Sequence, residues 1–361
     1  MLRLPPFALL RPATLEEAAR LLAEEGAAEG RPVRLVAGGT DLWPNMKRRH
    51  QQAASVVSLM GIPELAGIRN GGGGGEPGGA GALRIGATTL LDDVARDPRV
   101  AARYPALAAA VASISSPPLR NMGTLGGNLC VDTRCTYYNQ TEEWRRAIDY
   151  CMKAEGAICW VATSSPRCWA HSASDSAPML CALGAAVLLA SPRGERSVPV
   201  ADLYRDDGID YLARRPDEIL TEVELPADAD RGACRAAFWK LRRRGSIDFA
   251  VLSVAAAAWT DAAGIVSRAS LYLGAVGSAP VAAGAAAALL VGQPLRALAE
   301  DPELVAAAGR LARQAATPMD NTDFQTQWRG VMAARYTEAA LRELAGGERQ
   351  RLAPRHPLPA A

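Results

Sequence analysis

A short apolar run at residues 33–36 passes without a break into adjacent glycines, in the string Leu35-Val36-Ala37-Gly38-Gly39-Thr40-Asp41-Leu42. A strand that ends this way must turn sharply. With no Cβ in the way, successive backbone N–H groups are free to point into one concavity that suits a phosphate oxygen, and Thr40 adds a hydroxyl. A plain tight turn between strand and helix uses the same residues. A second turn of similar make-up, Asn121-Met122-Gly123-Thr124-Leu125-Gly126-Gly127-Asn128, lies further along. Two such turns suit the two phosphates of a dinucleotide, held from opposite sides. Neither is a G-x-G-x-x-G fingerprint and no Gly-Lys-Ser/Thr follows Gly39, so the usual nicotinamide and ATP sites are not supported.

The pattern around the turns is mixed. Leu15, Ala18, Ala19 and Leu22 share one helical face, and Thr14 with Glu17 has capping-box spacing, so a helix is predicted to run to about Gly26. Strands are predicted at residues 55–59, 83–86, 182–189, 196–200 and 218–225, and one Ala-rich helix at 99–114, stopped by Pro117 and Pro118. The low-complexity stretch 71–81 reads as a surface hairpin loop and 226–231 as a linker. Apolar runs at 250–259 and 269–276 predict an antiparallel sheet, followed by Ala-rich helices to about Leu344 and a loosely ordered tail at 345–361.

At 361 residues the chain has room for two or three domains. Its net charge of +2 gives no broad field for neutralising phosphates, which argues against a nucleic-acid partner. Arg242, Arg243 and Arg244 after Lys240 read as a solvated strand edge or turn. No secretory signal is readable and no run of about 18 uncharged apolar residues occurs, so a cytoplasmic protein with no membrane span is expected. In that compartment its seven cysteines point to thiol, metal or cluster chemistry. Five of them, with three of the seven tryptophans and three of the eight tyrosines, crowd into residues 121–169.

Four strings in order, VAGGTDLWPNMKRR, LRNMGTLGGNL, SASDSAP and WKLRRRGSIDFAVLSVA, resemble the FAD-binding subunits of the xanthine dehydrogenase and carbon monoxide dehydrogenase (molybdenum hydroxylase) family. The resemblance spans about Pro12 to Leu344. It implies an α+β fold: an FAD-binding domain of two subdomains, at 1–54 and 55–228, then a C-terminal domain of antiparallel sheet and helices at 229–345, and a tail at 346–361. It implies that Leu35, Val36, Ala37, Gly38, Gly39, Thr40, Asp41 and Leu42 wrap the FAD pyrophosphate. Thr124, Gly126, Gly127 and Asn128 would form the facing turn, Asp175 would sit near the ribityl or flavin portion, and Leu220 and Lys240 would approach the flavin ring. Taken alone, Asp175 reads as a helix cap and Lys240 as a solvated strand residue. None of His50, His171 and His356 lies in a glycine turn, so FAD bound without a histidyl link is expected.

The family passes quickly from the second turn to the SxD segment, whereas here an insertion at about 130–170 separates them. Its Cys135, Cys151, Cys159 and Cys168, spaced 16, 8 and 9 apart, resemble the insertion of the 4-hydroxybenzoyl-CoA reductase flavin subunits, where four cysteines hold a [4Fe–4S] cluster. Four thiolates are the usual complement of such a cluster. Zinc competes for them, although the paired C-x₂₋₄-C of structural zinc sites is missing. Cys130, Cys181 and Cys234 read as small buried residues, Cys130 being the one that could replace a ligand. The resemblance further implies a molybdopterin-containing large subunit, a small subunit with two [2Fe–2S] clusters and a ferredoxin-like donor. The implied reaction is reductive removal of the phenolic hydroxyl of 4-hydroxybenzoyl-CoA. Another molybdenum hydroxylase, a zinc-stabilised flavoprotein and a non-catalytic scaffold remain open.

Overall fold

The first helix, Leu15–Gly26, forms where its cap predicts: Thr14 Oγ1 accepts from Glu17 N at 3.2 Å, and Ala18, Ala19 and Leu22 are buried. That face packs on Leu59, Ile62, Leu65 and Ile219, beneath a parallel sheet. The sheet comprises β1 (Ala8–Leu10), β2 (Val33–Val36) and β3 (Ser55–Ser58) in the order β1-β3-β2. Because β3 is its middle strand, the first layer reaches past residue 54. The computed structural model describes residues 2–27, 32–71, 81–227 and 234–349. Residues 72–80 of the glycine-rich loop, 228–231 of the linker, 350–361 of the tail and His356 lie outside them.

The second layer is an antiparallel sheet of β4 (Ile68–Asn70), β5 (Leu83–Gly86), β6 (Ala186–Ser191), β7 (Gly194–Pro199) and β8 (Ile219–Leu225), ordered β4-β5-β8-β6-β7. Two expectations are corrected here. The helix expected at 99–114 is broken into Pro98–Arg103 and Pro105–Ala112. Pro105 has no N–H to continue the first helix but suits the first position of the next. The strand expected at 182–189 starts only at Ala186. Helix Ser176–Ala182 runs into it and closes at Gly184, whose φ of +72° is the left-handed stop of a helix.

The third layer is an antiparallel meander of β9 (Cys234–Leu241), β10 (Leu252–Thr260), β11 (Val266–Gly274) and β12 (Val281–Ala282). Both faces of β10 are covered, which is why its sequence is a continuous apolar run. Val254, Ala256 and Ala258 face the core that includes helices Pro302–Ala315 and Thr326–Leu344, while Ala255, Ala257 and Trp259 join the core of the second layer. The alternation follows from the period of two along a strand. Among the described residues no helix is long and apolar enough to cross a membrane.

Candidate functional site

The two glycine turns meet. A Cβ added at Gly38 would stand 1.6 Å from Met122 O, and one at Gly123 would lie 3.4 Å from Thr40 Oγ1. Gly38 is therefore dictated by the approach of the second turn. Gly39 has φ +70°, and a Cβ there would lie 2.0 Å from Trp43 Nε1. The backbone N–H groups of Gly38, Gly39, Thr40 and Asp41 find no acceptor among the described residues. Four consecutive unused amides at a strand end form a concavity ready for an anion. Leu35, Val36 and Leu42 turn their side chains into packing, so they bear on the turn only through backbone.

The second turn differs from the expectation of a matching phosphate loop. Its amides are spent internally: Leu125 N donates to Thr89 O at 3.0 Å, Gly126 N to Ala87 O at 2.9 Å and Gly127 N to Thr124 Oγ1 at 3.1 Å. Gly126 is needed because a Cβ would press on Ala87 at 2.7 Å, whereas Gly127 is exposed. What this turn contributes is Asn128, whose Oδ1 accepts from Ser174 Oγ at 3.0 Å, Ser176 N at 3.2 Å and Ser176 Oγ at 2.6 Å. Sequence reasoning missed both serines, although the Ser174-Asp175-Ser176 string carries the signal.

Between these serines stands Asp175, and it does not cap the helix it precedes. Its Oδ2 meets Lys240 Nζ at 2.6 Å, with both side chains no more than 4% exposed. Lys240 also donates to Ser113 O at 3.1 Å, so neither sequence-only reading of the pair holds. Burial pushes the Asp175 carboxyl up, against the pull of Lys240 and Arg242. Its Oδ1 is buried with no partner, an acceptor waiting for a donor. Leu220 is buried in the second-layer core opposite Leu189. Its neighbour Thr221 accepts from Ala87 N at 2.9 Å, one residue bridge away from Gly126. Free amides in the first turn and the orphaned Asp175 carboxylate oxygen fit FAD, which presents a pyrophosphate and a chain of hydroxyls.

Cys135, Cys151, Cys159 and Cys168 are all buried and none is in a disulfide. Cys135, Cys151 and Cys168 pack with Tyr138 and Ala170 in a small core of their own, and Cys159 lies near enough to repel the charged forms of Cys151 and Cys168. Burial pushes the Cys135 thiol up to about 12 and Cys168 to about 11. Among the described residues no three such side chains are close enough to share one metal ion. A tetrahedral zinc with Zn–S of about 2.3 Å needs sulfurs about 3.8 Å apart, an arrangement these side chains do not offer. Nearby, Lys153 Nζ is buried against Asp132 Oδ1 at 2.7 Å, Thr133 Oγ1 at 2.8 Å and Gly208 O at 2.6 Å. Cys130 stays apart, packed against the second-layer core with Cys181 and Cys234.

Three layers with an amide nest at a strand end and a buried acid with an unpaired oxygen fit a dinucleotide-binding flavoprotein. Comparison with known proteins gives the family: residues 5–228 match the FAD binding domain in molybdopterin dehydrogenase, and residues 236–344 the CO dehydrogenase flavoprotein C-terminal domain. The chain belongs to the molybdopterin dehydrogenase, or molybdenum hydroxylase, family of oxidoreductases as its FAD-binding component. It is 29% identical over 290 residues to the nicotinate dehydrogenase FAD-subunit of Eubacterium barkeri, covering 80% of this chain and 81% of that one. It is likewise 29% identical over 330 residues to the carbon monoxide dehydrogenase medium chain of Afipia carboxidovorans, covering 91% and 95%. In structure it is similar to the Cu,Mo-CO dehydrogenase in its cyanide-inactivated form, with a TM-score of 0.74 at 25% identity over 95% of this chain and 99% of that one.

Proposed function

We propose that this chain is the flavin and iron–sulfur electron-transfer subunit of a molybdenum enzyme. FAD lies along the first glycine turn toward the Asp175–Lys240 pair, and one [4Fe–4S] cluster sits on Cys135, Cys151, Cys159 and Cys168. The observation that supports the cluster is the gathering of buried thiols outside any disulfide: Cys135, Cys151 and Cys168 share one small core, and Cys159 lies close to the last two. Flavin and cluster supply the electron exchange when bound, while the chain's own residues hold them at a fixed spacing and keep water away. Relatives named as a FAD-subunit and a medium chain support completion of the enzyme by other subunits: a molybdopterin-containing large one and a small one with two [2Fe–2S] clusters. A ferredoxin-like carrier would supply the electrons.

The cysteine insertion favours 4-hydroxybenzoyl-CoA reductase, with reductive dehydroxylation to benzoyl-CoA on the large subunit. A second reading is favoured by the nicotinate dehydrogenase relative: hydroxylation of a heterocycle, with the cluster as an electron exit. The test is metal and flavin analysis of the anaerobically purified full-length chain. One FAD and about four irons per chain are expected, with iron lost when Cys135, Cys151, Cys159 or Cys168 is changed to Ser and kept when Cys181 or Cys234 is. Stoichiometric zinc in place of iron would overturn the cluster. In the assembled enzyme, oxidation of reduced ferredoxin by 4-hydroxybenzoyl-CoA supports the first substrate reading. Oxidation of nicotinate with no such activity supports the second.

A further inference from the structure

The insertion does not stand free of the flavin site. Asp41, directly after Gly38-Gly39-Thr40, precedes the helix Leu42–Lys47 in the capping position, yet its side chain makes no capping bond. Its carboxylate is instead drawn sideways, Oδ1 to the Arg134 guanidinium and Oδ2 to Asn45 Nδ2 at 2.9 Å. The amides of the turn are thereby left open, and the negative charge that would oppose a phosphate is neutralised. Arg134 is 9% exposed and is fixed from the cysteine side: it adjoins Cys135, and its backbone pairs in both directions with His171, three residues after Cys168, at 2.9 and 2.8 Å. More bonds run the same way. Gln51 Nε2 donates to Asp132 Oδ2 at 2.9 Å, Arg145 donates to Arg48 O at 3.1 Å and Arg49 O at 3.3 Å, and the Tyr138 hydroxyl donates to His50 O.

We propose that Arg134 is a positioning residue that couples the four-cysteine site to the first glycine turn, so that filling either site strengthens binding at the other. This rests on the reading of FAD and cluster given above. An assembled cluster pins the segments of Cys135 and Cys168, these fix the Arg134 backbone, and Arg134 holds the Asp41 carboxylate clear of the amides. Coupling of this kind is reciprocal: whatever cluster loading does for FAD affinity, FAD must do for cluster retention.

The test uses the full-length chain, with FAD as ligand and a ferrous chelator to strip the cluster. In the wild type, loss of iron is expected to weaken FAD binding roughly tenfold, and saturating FAD to slow iron release. In Arg134→Met, FAD binding is expected to be weakened by a similar factor even with the cluster in place, and iron removal to change it less than about twofold further. Arg134→Lys should recover part of the affinity by restoring the charge, which a merely structural defect would not show. Asp41→Asn, which keeps the side-chain shape, should uncouple the two sites at full iron content and serves if Arg134→Met fails to fold. Equal FAD affinity of the wild type with and without iron, or undiminished coupling in Asp41→Asn, overturns the proposal. A chain that takes up no iron overturns the cluster reading as well; one with four irons and one FAD bound independently overturns only the coupling.

Discussion

Gly38 carries the sharpest constraint in the site, because the atom that a side chain would strike is a backbone oxygen of the facing turn, 1.6 Å away, and backbone cannot swing aside. Gly38→Ala is therefore expected to part the two turns and abolish FAD retention, measured as flavin co-purifying with the chain. Gly127→Ala, whose Cβ would meet only Thr124 Oγ1 at 2.9 Å, is expected to keep most of it. Equal loss in both would mean that the close approach is not what the glycines serve. His171 sets a second residue-scale expectation. Burial, with Arg329 and Arg134 nearby, lowers it to about 4 despite its contact with Ser172 O. As pH falls, the unfolded chain takes up this proton first, near pH 6.5, so the contribution of His171 is intact above that pH and declines until about 4. Urea unfolding of His171→Asn should show a shallower loss of stability across that window, by about 3 kcal/mol between its ends. Parallel curves would show that His171 takes up its proton equally in the folded and unfolded chain.

At the scale of elements, what was legible in the sequence depended on how local the cause was. The first helix and its Thr14 cap, β2 and its glycine exit, and the antiparallel third sheet each follow from spacing within one segment. The break at Pro105 was also locally written, but the Ala-rich run around it masks the break in a periodicity count. The boundary near residue 54 was hidden for another reason: β3 pairs in parallel with β1 and β2, and no sequence spacing announces a partner that far away. The same split runs through the candidate site. The glycines and the four cysteines stood out by type, and Asp175 and Lys240 only through the family resemblance, whereas Asn128 binding Ser174 and Ser176, and Arg134 holding Asp41, depend on residues 46 to 93 positions apart. Their side chains are ordinary in isolation and acquire a role only through folding.

Among the described residues the largest apolar core is shared by the second and third layers, a second lies between the third sheet and its helices, two smaller ones lie on opposite faces of the first sheet, and the cysteines have a further pocket of their own. At the candidate site the layers also meet through polar or close backbone contacts: Gly38 against Met122, and Asp175 to Lys240 with Ser113 behind it. Such joints contribute little without a ligand, since Asp175 Oδ1 is unpaired and four amides of the first turn are unused. A dinucleotide lying along them touches every layer at once, so its binding energy becomes stability of the assembly. At FAD one hundred times its dissociation constant the gain is about 2.7 kcal/mol, a rise of about 4 °C for a chain of this length if it melts as one unit. The expectation for scanning calorimetry is more specific than a shift. Without FAD the first layer should melt ahead of the third in a separate step, and with FAD the steps should merge at the higher temperature. A single transition in both conditions, moved by FAD or not, would mean that the apolar seams already bind the layers into one cooperative unit and that the ligand is not what joins them.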